Sequence, residues 1–132
     1  MAVHLDHTIV PVRDKEASAR WFAEIMGLAY KGEWGPFAPV QIDEHLSLDF
    51  HDAEDFQSVH YAFIVTDAEF DAILGRVQDK RIVYGSGPSE SQDMQINHRH
   101  QGRGHAPARR TPGTLRGPAG TRPLSLTHDR PP

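Results

Sequence analysis

The chain has 132 residues, no cysteine and a formal net charge of −4, which favours one globular domain and excludes disulfides, thiolate metal sites and cysteine nucleophiles. No apolar segment follows Met1, and no apolar run elsewhere is long enough to cross a bilayer. The composition therefore predicts a cytoplasmic protein without a membrane or secretory segment. The charge is unevenly distributed, since residues 1–104 contain nine basic and seventeen acidic side chains and residues 105–132 contain five and one.

The segment from His105 to Pro132 differs in composition from the rest of the chain. It contains six Pro, five Arg and three Gly, and its only apolar types are Ala and Leu. No aromatic residue is present on which a nucleic-acid base could stack, so we predict no nucleic-acid binding. We predict a disordered tail at 105–132, with neither strand nor helix, after a domain at 1–104. An alternative origin of the tail is out-of-frame translation of a GC-rich gene.

The domain begins with a strand-like segment, Leu5–Val12, in which alternation places His7 and Ile9 on one face. Apolar residues at helical spacing follow Asp14, a suitable N-cap, and predict a helix that ends at Gly27. Turn residues then separate three short predicted strands, which are Ala29–Trp34, Phe37–Ile42 and Leu46–Phe50.

The same order of elements begins again after an acidic linker. His60–Val65 has the composition of a strand, Asp67 is a suitable N-cap, and apolar residues at helical spacing predict a second helix. Two further strands are predicted at Arg81–Tyr84 and Met94–His100. The sequence thus predicts an α+β fold of paired βαβββ modules, with the second module one strand short.

Histidines occupy matching places in these two modules. His7 and His60 each lie near the beginning of a strand, and imidazole is a common ligand of divalent transition metals. We therefore interpret the pair as a candidate metal site, with a packed histidine bonded to backbone as the alternative for each. The other histidines in terminal or turn-like contexts are interpreted as surface residues: His4, His45, His51, His105 and His128.

A polar segment near the end of the domain is a candidate for ligand binding. Alternation would place Asn97 and Arg99 on one face of a strand and His98 and His100 on the other, so either pair could hold an anionic or carbonyl group. An exposed edge strand explains the same residues equally well. Two aromatic residues, Phe37 and Tyr61, could form apolar pocket walls, with packing in the core as the alternative.

Four segments together resemble the vicinal oxygen chelate superfamily, which includes glyoxalase I, extradiol dioxygenases, fosfomycin-resistance thiol transferases and bleomycin-binding proteins. The segments are LDHTIVPVRDKEASARWFAEIMGL, FAPVQIDEHLSLDF, HYAFIVTDAEFDAIL and INHRHQGRG, and they span Leu5 to Gly104. The resemblance implies two βαβββ modules curled into an incomplete barrel around a pocket. It also implies a divalent metal ion (Zn, Ni, Mn or Fe) and a homodimer.

Transferred to this sequence, the resemblance implies that His7 and His60 are metal ligands and that Asp49 is a third ligand. Alternation alone leaves Asp49 facing either a pocket or water. Members with an active metal site also use a glutamate from the last strand, whereas no glutamate follows Glu90 here. The last strand of the second module is therefore expected to be missing or altered.

The resemblance implies a divalent-metal-dependent enzyme that acts on a small molecule. A lyase, a dioxygenase and a thiol transferase all fit, because each chemistry uses a metal ion that polarises oxygen atoms of the substrate. The alternative is a non-catalytic protein of the bleomycin-resistance type that binds a drug or metabolite.

Overall fold

The computed structural model describes residues 3–57, 59–85, 92–96 and 121–128. The chain divides into two compact units at residues 58 and 59. The first unit contains strand β1 (His7–Val12), helix α1 (Lys15–Met26), strand β2 (Phe37–Gln41) and strand β3 (Ser47–Asp52). The second contains strand β4 (Val59–Thr66), helix α2 (Asp67–Asp79) and strand β5 (Thr121–His128). The predicted α+β class is confirmed.

The first unit is an open, mixed sheet covered on one face by α1. Its strand order is β1-β3-β2, in which β1 runs parallel to β3 and β2 runs antiparallel to it. Alternation along each strand turns one set of apolar side chains toward the helix, where burial removes them from water. The buried apolar residues of this unit are Val10, Val12, Ala19, Phe22, Ala23, Ile25, Ala38, Val40, Leu48 and Phe50.

Helix α1 begins and ends where its sequence signals predicted. Asp14 has an extended backbone, and its Oδ1 accepts a hydrogen bond from Ala17 N at 3.1 Å. Gly27 adopts the left-handed conformation with φ of 73°, and Leu28 N donates to Ala23 O at 2.8 Å. This is the Schellman type of C-terminus, which glycine adopts without strain.

In the second unit, the described residues form a two-stranded antiparallel sheet and α2. Thr66, rather than the predicted Asp67, is the N-cap of α2. Thr66 and Glu69 form a capping box, since Thr66 Oγ1 accepts from Glu69 N at 3.1 Å and Glu69 Oε2 accepts from Thr66 N at 3.0 Å. The buried side chains of Phe70 and Ile73 form the apolar side of the helix.

The predicted strands Ala29–Trp34 and Arg81–Tyr84 are not formed. The described part of the predicted strand Met94–His100 is not a strand either. Only Trp34 of the segment Ala29–Trp34 pairs, in an isolated bridge to Phe37, because Gly32 and Gly35 interrupt extended backbone with φ of 105° and 55°. Arg81–Tyr84 forms no strand, and Arg81 itself has φ of 54°. Residues 94–96 are also irregular.

The prediction of a tail without a strand is wrong for residues 121–128. These residues form β5, which pairs antiparallel with β4 along eight residues, from Val59 opposite His128 to Thr66 opposite Thr121. Pro123 lacks a backbone donor, but a two-stranded sheet has only edge strands, where proline is tolerated. Positions 105–120 and 129–132 lie outside the described residues, so the predicted boundary after Gly104 and disorder there stay predictions.

Candidate functional site

The side of the three-stranded sheet opposite α1 carries polar and apolar residues that the helix does not cover. We call this side the open face. Its members alternate along each strand with the buried core residues. The open face consists of His7, Ile9 and Pro11 from β1, Phe37, Pro39 and Gln41 from β2, and Ser47, Asp49 and His51 from β3.

The register between β1 and β3 places Asp49 close to His7 on the open face. His7 pairs with Ser47, and Asp49 pairs with Ile9 one row along the sheet. Ser47 Oγ donates a hydrogen bond of 2.7 Å to Asp49 Oδ1, which orients the carboxylate on this face. Rows on one face of a strand are about 7 Å apart, so His7 and Asp49 occupy neighbouring rows of the open face.

His7 is exposed to solvent and forms a hydrogen bond with the neighbouring Asp6. Its Nδ1 lies 2.7 Å from Asp6 Oδ2. This hydrogen bond raises the pKa of His7 above its ordinary value, and the negative charges of Asp6 and Asp49 act in the same direction, whereas desolvation acts against them. The imidazole and the Asp49 carboxylate therefore interact electrostatically on the open face.

His51 is a member of the open face that sequence analysis missed. We interpreted it as a surface residue in a turn, but it lies within β3 and is half-buried. Its ring contacts that of Phe37, with centroids 5.5 Å apart at an angle of 50°. The sequence signal was present, because His51 is two residues after Asp49 and alternation continues through Phe50. Phe37, a predicted pocket wall, thus lies on the same face as His7.

In the second unit, His60 and Tyr61 lie on opposite faces of β4. His60, Ala62 and Ile64 are exposed, whereas Val65, on the face of Tyr61, is buried. Tyr61 is half-buried, and burial raises the pKa of its hydroxyl. This position favours core packing for Tyr61 over a ligand contact. His60 resembles His7 in lying on the uncovered face of a strand that is followed by a helix.

Two of the other histidines, His4 and His45, are surface residues, as predicted. His4 and His45 are exposed, and their rings stack at 4.0 Å near the turn between β2 and β3. His128 instead belongs to β5, and His105 lies outside the described residues. The candidate ligand-binding residues Asn97, His98, Arg99 and His100 also lie outside them.

Within the described ranges, no three His, Asp or Glu side chains are grouped closely enough to hold a metal ion. His7 and His60 belong to different units, so their joint action stays a prediction. In the same part of the chain, no helix has the length and apolar character that a bilayer crossing requires.

Solved structures that are similar to this chain include two named as oxidases. One, named oxidase ChaP-H2, has 42% sequence identity and a TM-score of 0.71, and the match covers 76% of this chain and 80% of that chain. The other, named oxidase ChaP-H1, has 43% identity and a TM-score of 0.68, with coverage of 73% and 78%. No protein-family model matches the chain, and no curated protein matches it significantly. From this identity and coverage, the chain belongs to the same protein family as the oxidases ChaP-H1 and ChaP-H2.

Proposed function

We propose that this protein is a divalent-metal-dependent enzyme of the vicinal oxygen chelate superfamily, and that it oxidises a small organic molecule bound at the open face. The observation that carries the proposal is that His7 and Asp49 share that face in a chain 42% identical to a protein named as an oxidase. Of the reactions that the superfamily resemblance implies, a dioxygenase type agrees best with these names, ahead of a lyase or a thiol transferase.

The donor types on the open face fit a divalent transition metal. Imidazole nitrogen and carboxylate oxygen are both ligands of Zn, Fe, Mn and Ni, and a catalytic site needs further ligands plus an open position for substrate. His7 and Asp49 would hold the ion on the open face, and the superfamily resemblance implies His60 as a further ligand. When bound, the ion would supply Lewis-acid polarisation of substrate oxygen atoms.

The rest of the open face is suited to an organic ligand. Ile9 is 51% exposed, and Pro39 and Phe37 lie on the same side of the sheet. A ligand placed there would cover apolar surface, which is favourable by about 25 cal/mol for each Å² removed from water. His51, whose ring contacts that of Phe37, would offer the ligand a polar contact. It lies on β3 four residues after Ser47, the register partner of His7.

A second candidate function is non-catalytic binding of a small molecule. It is favoured by the absence of glutamate after Glu90, since a carboxylate from the last strand usually completes the ligand set and offsets metal charge. Both candidates use the open face, but only the enzyme requires a metal ion. We propose a cytoplasmic homodimer in either case, on the basis of the composition and the superfamily resemblance.

The metal content of the purified protein tests whether it is a metal-dependent enzyme. The purified chain would be stripped with a chelator, reloaded separately with Fe²⁺, Mn²⁺, Ni²⁺ and Zn²⁺ and measured by elemental analysis, beside the variants His7→Ala, Asp49→Ala and His60→Ala. His45→Ala is the matched control, because His45 is an exposed histidine whose Nε2 lies 3.3 Å from Glu44 in the turn between β2 and β3.

We expect close to one ion per chain in the native protein and in His45→Ala. His7→Ala and His60→Ala should each lose most of the bound metal, and Asp49→Ala should bind it more weakly. A native protein that retains none of the four ions would overturn the metal-dependent enzyme and leave the binding protein.

A further inference from the structure

The side chains of Asp6 and His7 form a hydrogen bond at the N-terminal end of β1. Asp6 Oδ2 lies 2.7 Å from His7 Nδ1. The backbone of Asp6 is itself fixed, because its carbonyl accepts a hydrogen bond of 2.9 Å from Ser47 N and so extends the ladder between β1 and β3. The carboxylate therefore reaches His7 from a position that the sheet determines.

This contact selects one tautomer of the imidazole. A carboxylate only accepts hydrogen bonds, so the proton of neutral His7 must reside on Nδ1 for the bond to form. The lone pair is then left on Nε2. An unconstrained histidine in water favours the other tautomer, with its proton on Nε2, so the Asp6 contact acts against the intrinsic preference.

We propose that Asp6 is a positioning residue for His7, because its carboxylate holds the imidazole in the Nδ1–H tautomer and makes Nε2 the nitrogen available to a metal or ligand. The tautomer itself follows from the contact alone, whereas its use in metal binding rests on the proposed function. Metal-binding histidines usually donate their other ring N–H to such an acceptor, and loss of the acceptor typically weakens metal binding 10- to 100-fold.

The exposure of the pair sets the size of the expected effect. The side chains of His7 and Asp6 are 57% and 88% exposed, so water competes for the hydrogen bond and screens the charges. We therefore expect the lower end of that range, about a tenfold loss of metal affinity. The change in tautomer should be clearer than the change in affinity, because it reports the local contact directly.

The first measurement needs no metal. Nitrogen-15 NMR of the ring of His7, recorded in the metal-free chain at a pH where the imidazole is neutral, identifies which nitrogen carries the proton. We expect Nδ1–H in the native chain and a shift toward Nε2–H in Asp6→Ala. Asp6→Asn should retain much of the Nδ1–H form, because an amide oxygen can still accept the bond.

Glu44→Ala is the matched control. Glu44 Oε1 lies 3.3 Å from Nε2 of His45, so this variant also removes a carboxylate from a histidine that is its sequence neighbour, and neither residue is a member of the open face. It should leave the tautomer of His7 unchanged. Titration calorimetry with Zn²⁺ then compares the affinity of the native chain, Asp6→Ala and Glu44→Ala, and we expect only Asp6→Ala to bind about tenfold more weakly.

The outcomes separate this inference from the proposed function. A His7 tautomer that is Nε2–H in the native chain, or that is unchanged in Asp6→Ala, overturns the positioning role even if His7→Ala abolishes metal binding. The expected tautomer change in a chain that binds no metal supports the positioning role and overturns the metal-dependent function. Where the native chain binds Zn²⁺, equal affinity in Asp6→Ala overturns the role of Asp6 in presenting Nε2.

Discussion

The backbone N–H of Lys15 donates a hydrogen bond of 2.8 Å to the carboxylate of Asp52, so the last residue of β3 caps the first residue of α1. The first four N–H groups of a helix have no partner within the helix, and a negative charge there also interacts favourably with the helix dipole. Asp14 satisfies Ala17 N from within the chain segment that enters the helix. The two aspartates therefore cap different N–H groups of the same helix.

We predict that Asp52→Ala and Asp14→Ala each lower the free energy of unfolding by about 1 kcal/mol. Asp52→Asn should lose less, because its amide oxygen still accepts the bond. Urea denaturation followed by tryptophan fluorescence measures the change, with Asp55→Ala, an exposed acidic residue nearby, as the control. Equal stability of Asp52→Ala and Asp55→Ala would contradict the capping role of Asp52.

These two caps illustrate what the sequence could predict about the fold. The Asp14 cap and the Gly27 C-terminus act over a few residues, so the bounds of α1 were predictable from local signals. The Asp52 cap joins residues 37 positions apart, and no local pattern specifies it. The predicted strand Ala29–Trp34 was wrong because residue types alone do not reveal the positive φ angle at Gly32 within it or at Gly35 just after it.

The same distinction applies to the candidate site. Alternation correctly separated His7 and Ile9 from Val10 and Val12, but it could not show which of the two faces α1 covers. That choice depends on packing between distant elements. His51 was missed because the predicted strand stopped at Phe50, one residue before it.

The ionisation of His7 should depend on Asp6. The hydrogen bond and negative charge of Asp6 raise the pKa of His7 above the ordinary value of about 6.5. A folded pKa above the unfolded one means that protonation favours the folded state. The resulting stabilisation is complete below about pH 6.5 and is lost as the pH rises through the folded pKa.

We therefore predict that Asp6→Asn lowers the pKa of His7. The substitution should destabilise the chain more at about pH 5.5, below the ordinary pKa of histidine, than at a pH well above the folded pKa of His7. An NMR titration of the ring protons measures the pKa, and denaturation at the two pH values measures stability. Glu44→Gln should leave the His7 titration unchanged. A lower pKa in the native chain than in Asp6→Asn would show that the interaction has the opposite sign.

Replacement of serine by alanine should change the free energy of unfolding in opposite directions at Ser18 and Ser47. Ser18 lies in α1 with 6% of its surface exposed, and its Oγ has no hydrogen-bond partner within the described part of the chain. Removing an unsatisfied buried hydroxyl and introducing alanine, the better helix former, should stabilise the chain by about 1 kcal/mol.

Ser47 is the matched control, because its Oγ donates to Asp49 at 2.7 Å. Ser47→Ala should lower the free energy of unfolding by about 1 kcal/mol, since it removes a charge-assisted hydrogen bond. Urea denaturation of both variants tests the pair. A destabilised Ser18→Ala would indicate that its hydroxyl has a partner, such as a buried water, that offsets its burial.

Two glycines distinguish the effect of backbone angle from that of space. Apart from the adjoining backbone, a Cβ atom added at Gly75 or at Gly35 would meet no atom of the described residues within 4 Å. Gly75 lies inside α2, where alanine restricts the unfolded chain and favours the helix, so Gly75→Ala should stabilise by about 0.5–1 kcal/mol. Gly35 has φ of 55°, which an L side chain rarely adopts, so Gly35→Ala should destabilise by about 1–2 kcal/mol.

Thermal denaturation followed by far-ultraviolet circular dichroism compares both glycine variants with the native chain. Opposite shifts in midpoint are expected. Two shifts of the same sign would mean that packing around one of these glycines, rather than its backbone conformation, decides the outcome.

Strand β5 should protect the backbone of β4. All eight residues of β4 lie in register with β5, whereas Val59 and Ile64 have exposed side chains and contribute little to a core. A strand without a partner leaves its N–H and C=O groups to water and is available for pairing with other chains. We predict that deletion of residues 121–132 accelerates hydrogen exchange in β4 and promotes aggregation.

Exchange measured by mass spectrometry gives both the test and an internal reference. Peptides that cover Val59–Thr66 should exchange faster in the truncated chain, whereas peptides that cover Ser47–Asp52 should be unaffected, because β3 is paired on both sides by β1 and β2. A second truncation that removes only residues 129–132 leaves β5 intact and should behave as the native chain does. Unchanged protection of β4 after removal of β5 would mean that another segment pairs with β4 in solution, and the tail would then have no structural role at that strand.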